Sequence, residues 1–240
     1  MPKLMPSHPL ILVGDTPEVL ARAIDDGVSA AACYRMKIPP TLKDKLAKSI
    51  ALLTEISWDL PYTKYSWGGR VSGAFGKTIM DDGYSIYIDI AGNGWDQFKS
   101  MALSHQPALT DFIISIQTLD GRISKATKRG IIGRQIRLES KREQREDRIH
   151  LDGDAGIAGS KRLLWTIVGN TTEGFINDAT KRAHTMRCDS FSEEDCFCFP
   201  DDSVIWLGNE QRGLAHRAPT GRQGQRFLYL PSLGPKYRWG

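Results

Sequence analysis

Apolar residues recur along the 240-residue chain with two different periods, and the change between them falls near its middle. In the first half, Leu42, Leu46, Ile50, Leu53 and Ile56 follow one another at spacings of three and four, which predicts an amphipathic helix from Thr41 to about Ser57, with Pro39 and Pro40 marking its start. A shorter helix is expected through PEVLARAIDD, capped by Asp15 or Thr16 with Pro17 in its first turn. Leu109, Phe112, Ile113 and Ile116 give a third helical stretch within Gln106 to Asp120, and the alternation of YSIYIDI predicts a strand from Tyr84 to Ile90.

From about Ile131 the pattern becomes short apolar runs broken by turn residues: GIIGRQIRLES, DRIHLDGD, KRLLWTIVGN, EGFIN, CFCFP, SVIWLG, GLAHRAP and QRFLYLP. Eight such runs predict a β-sandwich or barrel. A helix-rich first half and an antiparallel second half make an α+β fold in which N-terminal helices buttress the sandwich. The change near Gly121 to Gly133 is one of element type, so residues 1–240 are expected to form one domain, with 1–120 as a helical and mixed support region and 121–240 as the β core.

Composition adds little beyond this. Hydrophobic residues at 40% and charged residues at 25% are ordinary for a globular chain. No apolar run reaches the ~20 residues a membrane helix needs, and the N-terminus lacks a signal-peptide core. The four cysteines are too few for a disulfide scaffold, so a cytoplasmic protein without membrane partners is expected. The net charge of +4 is unevenly placed: Arg122 to Arg148 holds ten Lys or Arg against four acids, leaving the remainder at −2. Such a block can meet phosphates or an acidic protein surface, or can lie solvated with its charges paired locally.

The chemistry concentrates in the β half. In a strand, residues i and i+2 share a face, so His150 and Asp152 can aim into the barrel together. His216 lies 64 residues after Asp152, and Arg226 ten residues further on, in the next run. Two imidazoles and a carboxylate on one face of an octahedral metal leave three positions open, which suits ferrous iron binding a chelating co-substrate and dioxygen. A keto dicarboxylate would chelate through its keto and C1 oxygens, and its far carboxylate would need a rigid, permanently charged partner such as a guanidinium.

His-X-Asp, a distant His and an Arg about ten residues beyond resemble the signature of the Fe(II)- and 2-oxoglutarate-dependent oxygenases, over roughly residues 131 to 232. RLLWTIVGN reads like that family's strand after the His-X-Asp turn, and CFCFPDDSVIWLG like its run into the distal histidine. The resemblance implies a double-stranded β-helix (jelly-roll) core and a metal held by His150, Asp152 and His216. It further implies 2-oxoglutarate anchored by Arg226, with Arg222 in the turn TGRQG as rival, and Thr166 as a second hydrogen-bonding residue. The implied reaction hydroxylates or oxidatively demethylates a C–H bond, with succinate and carbon dioxide as co-products. The ten-residue His-to-Arg interval is similar to that of prolyl-hydroxylase-like members; Arg222 with Arg226 partly echoes the nucleobase demethylases.

The basic block 122–148 mildly favours a nucleic acid or acidic protein over a small molecule as substrate. A jelly-roll binding protein holding a ligand or structural metal without oxygen chemistry is the alternative. His184, Cys188, Cys196 and Cys198 offer a zinc set, but C-x-C lacks the usual spacing, and CFCFP fits a strand buried on both faces. Gly153, Gly156 and Gly159 read as a flap over the metal mouth, and Trp58, Tyr62, Tyr65 and Trp67 as core packing or a stacking surface.

Overall fold

The computed structural model describes residues 3–55, 75–79, 85–139, 149–152, 161–176, 191–208, 213–219 and 225–236. The elements in chain order are β1 (Lys3–Leu4), β2 (Ile11–Gly14), α1 (Glu18–Asp25), β3 (Ala31–Arg35), α2 (Pro40–Glu55), β4 (Phe75–Ile79), β5 (Ser85–Ala91), α3 (Trp95–His105) and α4 (Thr110–Thr127). They continue with β6 (Arg129–Glu139), β7 (Lys161–Val168), β8 (Glu173–Phe175), β9 (Cys196–Cys198), β10 (Ser203–Trp206), β11 (His216–Arg217) and β12 (Arg226–Lys236). A large mixed sheet runs β2-β3-β10-β7-β12-β6-β5-β4, and a small one β1-β9-β8-β11.

Strand alternation assigns the faces of the large sheet. Ala32 and Tyr34 of β3, Val204 and Trp206 of β10, Leu163, Trp165 and Ile167 of β7, Phe227 and Tyr229 of β12, and Ile136 and Leu138 of β6 join one core with the helices. Their neighbours Ala31, Cys33 and Ile205 point the other way, into a second core with Phe197 and Phe199 next to the small sheet. The order of layers is therefore helices, large sheet, small sheet. α4 supplies Phe112, Ile113, Ile116, Leu119 and Ile123 to the first core, at the spacing the sequence predicts, but it runs seven residues past Asp120.

The first half is mixed, with the expected strand present as β5, and it adds β2 and β3 to one end of the large sheet and β4 and β5 to the other. β3 is buried on both faces except at Arg35, so its sequence AACYR carries no polar alternation to announce a strand. Of the expected β run DRIHLDGD, the described residues 149–152 contribute an isolated bridge, His150 to His216. The zinc residues His184 and Cys188, the glycines of 153–159 and the aromatics of 58–67 lie outside the described residues, as does Arg222. No described helix is long and apolar enough to cross a membrane.

The basic block is divided by the fold. Arg129 pairs with Asp25 of α1 at 2.9 Å and Arg134 with Asp120 of α4 at 2.7 Å, while Arg137 turns to the opposite face of the sheet. Among its described residues only Arg122, Lys125 and Lys128 are exposed.

Candidate metal centre

His150 and His216 face each other across an antiparallel bridge, each backbone N–H donating to the other's carbonyl at 2.9 Å. Directly opposed residues in such a pair project to the same side, which sets the two imidazoles together with ring centroids 4.3 Å apart. Asp152 is two residues beyond His150, and its Oδ1 lies 3.6 Å from His216 Nε2. One ligand atom from each of the three side chains falls within 4.8 Å of the other two. His216 is buried, Asp152 half-buried and His150 exposed, so the group opens towards solvent on one side.

The protonation pattern is right for a ligand set. His216 Nδ1 lies 2.9 Å from the Leu214 carbonyl, and a carbonyl can only accept; Nδ1 therefore carries the proton and Nε2 turns its lone pair to the centre. Burial pushes the Asp152 carboxyl up, but His216, when its Nε2 also carries a proton, outweighs it together with Arg162 and His150 and holds the group at about 2; a bound cation would stand in that proton's place. Two imidazole nitrogens and an ionised carboxylate, with one flank open, fit a divalent metal that keeps free coordination positions.

Neighbouring groups fix this arrangement. Arg217, next to His216 but on the other face of β11, donates to Glu173 at 2.7 Å and to both carboxylate oxygens of Glu193 at 2.7 Å. This clamp ties β11 to β8 and to the Glu193–Asp195 turn. On the inner face, Gly174 is the cross-strand partner of both His216 and Phe197. A Cβ on Gly174 would meet Phe197 Cζ at 2.5 Å and Leu214 Cδ2 at 3.1 Å, so the glycine lets the phenyl ring lie over β8 beside the metal histidine. Gly174→Ala is expected to cost about 1–3 kcal/mol by overpacking, read as a lower urea midpoint with an unchanged slope.

The large sheet turns a polar face towards this group. Arg162, Leu164 and Thr166 of β7 alternate with the helix-facing Leu163, Trp165 and Ile167. By the same parity, Gln135, Arg137 and Glu139 of β6, Tyr87 and Asp89 of β5, and Arg226, Leu228, Leu230 and Ser232 of β12 share the inner side. Thr166 is buried, and its Oγ1 has no hydrogen-bond partner among the described residues. An orphaned buried hydroxyl of this kind fits a polar ligand.

Arg226 is 4% exposed and donates from Nε to the Asn170 carbonyl (3.0 Å), from Nη1 to Glu139 (3.1 Å) and from Nη2 to Thr172 Oγ1 (2.7 Å). It is fixed, as its position at the start of a strand predicts, but it is fixed inside an ion pair. Glu139, 87 residues away in the chain, gave no sign of this in the sequence. The sequence likewise does not mark Arg162, Gly174 and Phe197 as neighbours of this group. Alternation in KRLLWTIV would have placed Arg162 on the face of Thr166.

No family model and no curated protein matches the sequence. Among solved structures, a Shewanella oneidensis protein with a provisional oxygenase designation superposes with a TM-score of 0.52 at 10% identity, over 94% of this chain and 90% of that one. A dioxygenase for auxin oxidation from Arabidopsis thaliana, in complex with 2-oxoglutarate, gives 0.49 at 13% identity over 94% and 92%. A prolyl hydroxylase from Trichoplax adhaerens, bound to a peptide fragment of hypoxia inducible factor, gives 0.44 at 11% over 90% of each chain. The first of these likenesses shows a shared fold.

Proposed function

We propose that this chain is an Fe(II)- and 2-oxoglutarate-dependent oxygenase that hydroxylates or oxidatively demethylates a C–H bond of its substrate. The observation that carries the reading is the convergence of His150, Asp152 and His216 within 4.8 Å at the rim of a polar inter-sheet face. The sheet orders support the double-stranded β-helix that such chemistry uses. β10-β7-β12-β6 lies at the centre of the large sheet, while β9-β8-β11 and the His150 bridge follow one another in the small one.

Bound iron and keto acid would supply the oxidising equivalent, the keto acid leaving as succinate and carbon dioxide. The chain's own residues bind and orient. His216, its Nδ1 held by the Leu214 carbonyl, aims Nε2 at the centre, and Asp152 brings an ionised carboxylate beside it. Thr166 turns its hydroxyl inward, ready to donate to a keto-acid oxygen. Arg226 would take the far carboxylate on a guanidinium whose charge Glu139 already shares at 3.1 Å. The buried Leu228 and Leu230, on the same face of β12, keep water from that end.

The test is an anaerobic titration of the purified chain with Fe(II) and then 2-oxoglutarate, followed by visible absorbance. A weak charge-transfer band is expected; if none develops, this reading is wrong. In the same titration Arg226→Ala should weaken 2-oxoglutarate binding more than Arg222→Ala. A guanidinium–carboxylate contact in a buried site supports a loss of roughly tenfold or more for the former. Equal or reversed losses would refute Arg226 as the anchor.

A further inference from the structure

We infer that Glu139 is a built-in competitor for the co-substrate: it holds the guanidinium on which the far carboxylate of 2-oxoglutarate docks, and so keeps the keto acid and the succinate made from it loosely bound. The inference rests on the oxygenase reading above and names a residue that sets the affinity of its co-substrate subsite.

Register builds the pair. Arg226 opens β12 and its cross-strand partner Glu139 closes β6, so the two side chains leave the same face of the large sheet from directly opposed positions. Both are buried, and so is Thr172. A guanidinium carries five N–H groups. Here Nε donates to the Asn170 carbonyl at 3.0 Å, Nη1 to Glu139 Oε2 at 3.1 Å and Nη2 to Thr172 Oγ1 at 2.7 Å. Of these acceptors Glu139 alone is anionic. Asn170 and Thr172 already fix the guanidinium through two of its nitrogens, so the carboxylate adds a charge where neutral acceptors hold the position.

The pair also borders space for a ligand. Leu228, two residues beyond Arg226 on the same face, pairs with Thr166 of β7, whose buried hydroxyl has no hydrogen-bond partner among the described residues. A keto acid lying between Arg226 and the metal group would satisfy that hydroxyl, and its far carboxylate would share one guanidinium with Glu139. One hydrogen on each of Nη1 and Nη2 is already committed, so the newcomer takes hydrogens beside the glutamate. Two carboxylates a few ångströms apart in a buried site repel strongly. That repulsion is subtracted from the affinity of a ligand with a far carboxylate and spares one without it. 2-Oxoglutarate has its chelate to the metal to hold it, whereas succinate has lost the keto group and leans more on the anchor. A contested anchor therefore favours release of product over release of co-substrate.

The experiment uses the anaerobic protein loaded with Fe(II), at constant pH and ionic strength. Two keto acids are compared: 2-oxoglutarate and 2-oxopentanoate, which carries a methyl group where the other has its far carboxylate. Binding is read from the visible band, and succinate is titrated as a competitor. Glu139→Gln keeps an acceptor for Nη1 and removes the charge. It is expected to tighten 2-oxoglutarate and succinate by at least about tenfold each, and to leave 2-oxopentanoate within about twofold. Glu139→Ser, a second way of removing the charge, should move the ratio of the two keto-acid affinities in the same direction. Thr172→Val, which removes a neutral acceptor from the same guanidinium, should not raise that ratio. The inference is overturned if Glu139→Gln weakens 2-oxoglutarate, because the glutamate would then be only a positioning partner of Arg226. A ratio that stays at the parent's value, or that Thr172→Val raises as far, overturns it equally. If 2-oxoglutarate gives no band with the parent, it is the oxygenase reading that fails; a band whose ratio ignores Glu139 refutes this inference alone.

Discussion

Asp152→Ala is expected to lower Fe(II) affinity by more than about 100-fold and to abolish turnover. The expectation follows from the position of the carboxylate. Groups that merely orient metal ligands are worth 10–100-fold in affinity, and Asp152 supplies a donor atom directly, as the one anionic member of the set. It is already ionised at about 2, so at neutral pH none of its binding strength is spent on losing a proton. The measurement is a competition titration with a coloured Fe(II) chelator, paired with far-UV circular dichroism to confirm the fold. Asp152→Asn is the sharper comparison, because it keeps the size and removes the charge. If either variant holds Fe(II) as tightly as the parent, the three residues are not the metal site.

The second large effect is on stability. Asp120→Ala is expected to cost about 3–5 kcal/mol, because it removes one member of a buried charged pair and leaves the other uncompensated. Asp120 on α4 accepts from Arg134 Nε at 2.7 Å and from the Tyr229 hydroxyl at 2.7 Å, and both of its charged and phenolic partners belong to the large sheet. Arg134 also lies 4.5 Å from the Trp95 ring of α3. The triad therefore pins two helices to β6 and β12. Urea unfolding should show the loss as a lower midpoint, and Asp120→Asn should recover part of it by keeping an acceptor for Tyr229. A loss below about 1 kcal/mol for Asp120→Ala would mean that the pair is effectively solvated.

The sequence made the second half legible because its strands either alternate or end at turn residues, and because His-X-Asp carries its geometry in its covalent spacing. An extended backbone puts positions 150 and 152 on one side whatever the surroundings. The first half was harder for opposite reasons. AACYR is short and buried on both faces up to Arg35, and ILVG is a short apolar edge strand whose Val13 is exposed, so no period marks them as β2 and β3. WDQFKSMALSH buries only Trp95, Phe98 and Ala102, too few to announce α3. Arg226 was legible as a fixed cation, but its partner was not, since cross-strand register is a tertiary property. The basic block shows the same limit: its charge was countable, but Arg129 and Arg134 spend theirs on Asp25 and Asp120.

The bridge between His150 and His216 has a consequence for how the metal and the fold depend on each other. Among the described residues, two backbone hydrogen bonds hem this edge of the four-stranded sheet, and both imidazoles and the carboxylate hang from that bridge. An ion seated there would act as a rivet between segments 64 residues apart. The same coordination bonds that prepare the site would also close the sheet's loose border, and affinity for the ion would appear as added stability of the native state in proportion to the ion's free concentration. Where the ion is scarce, the apo chain would then be less stable than the loaded one, and the ion's supply would set how long each copy lasts.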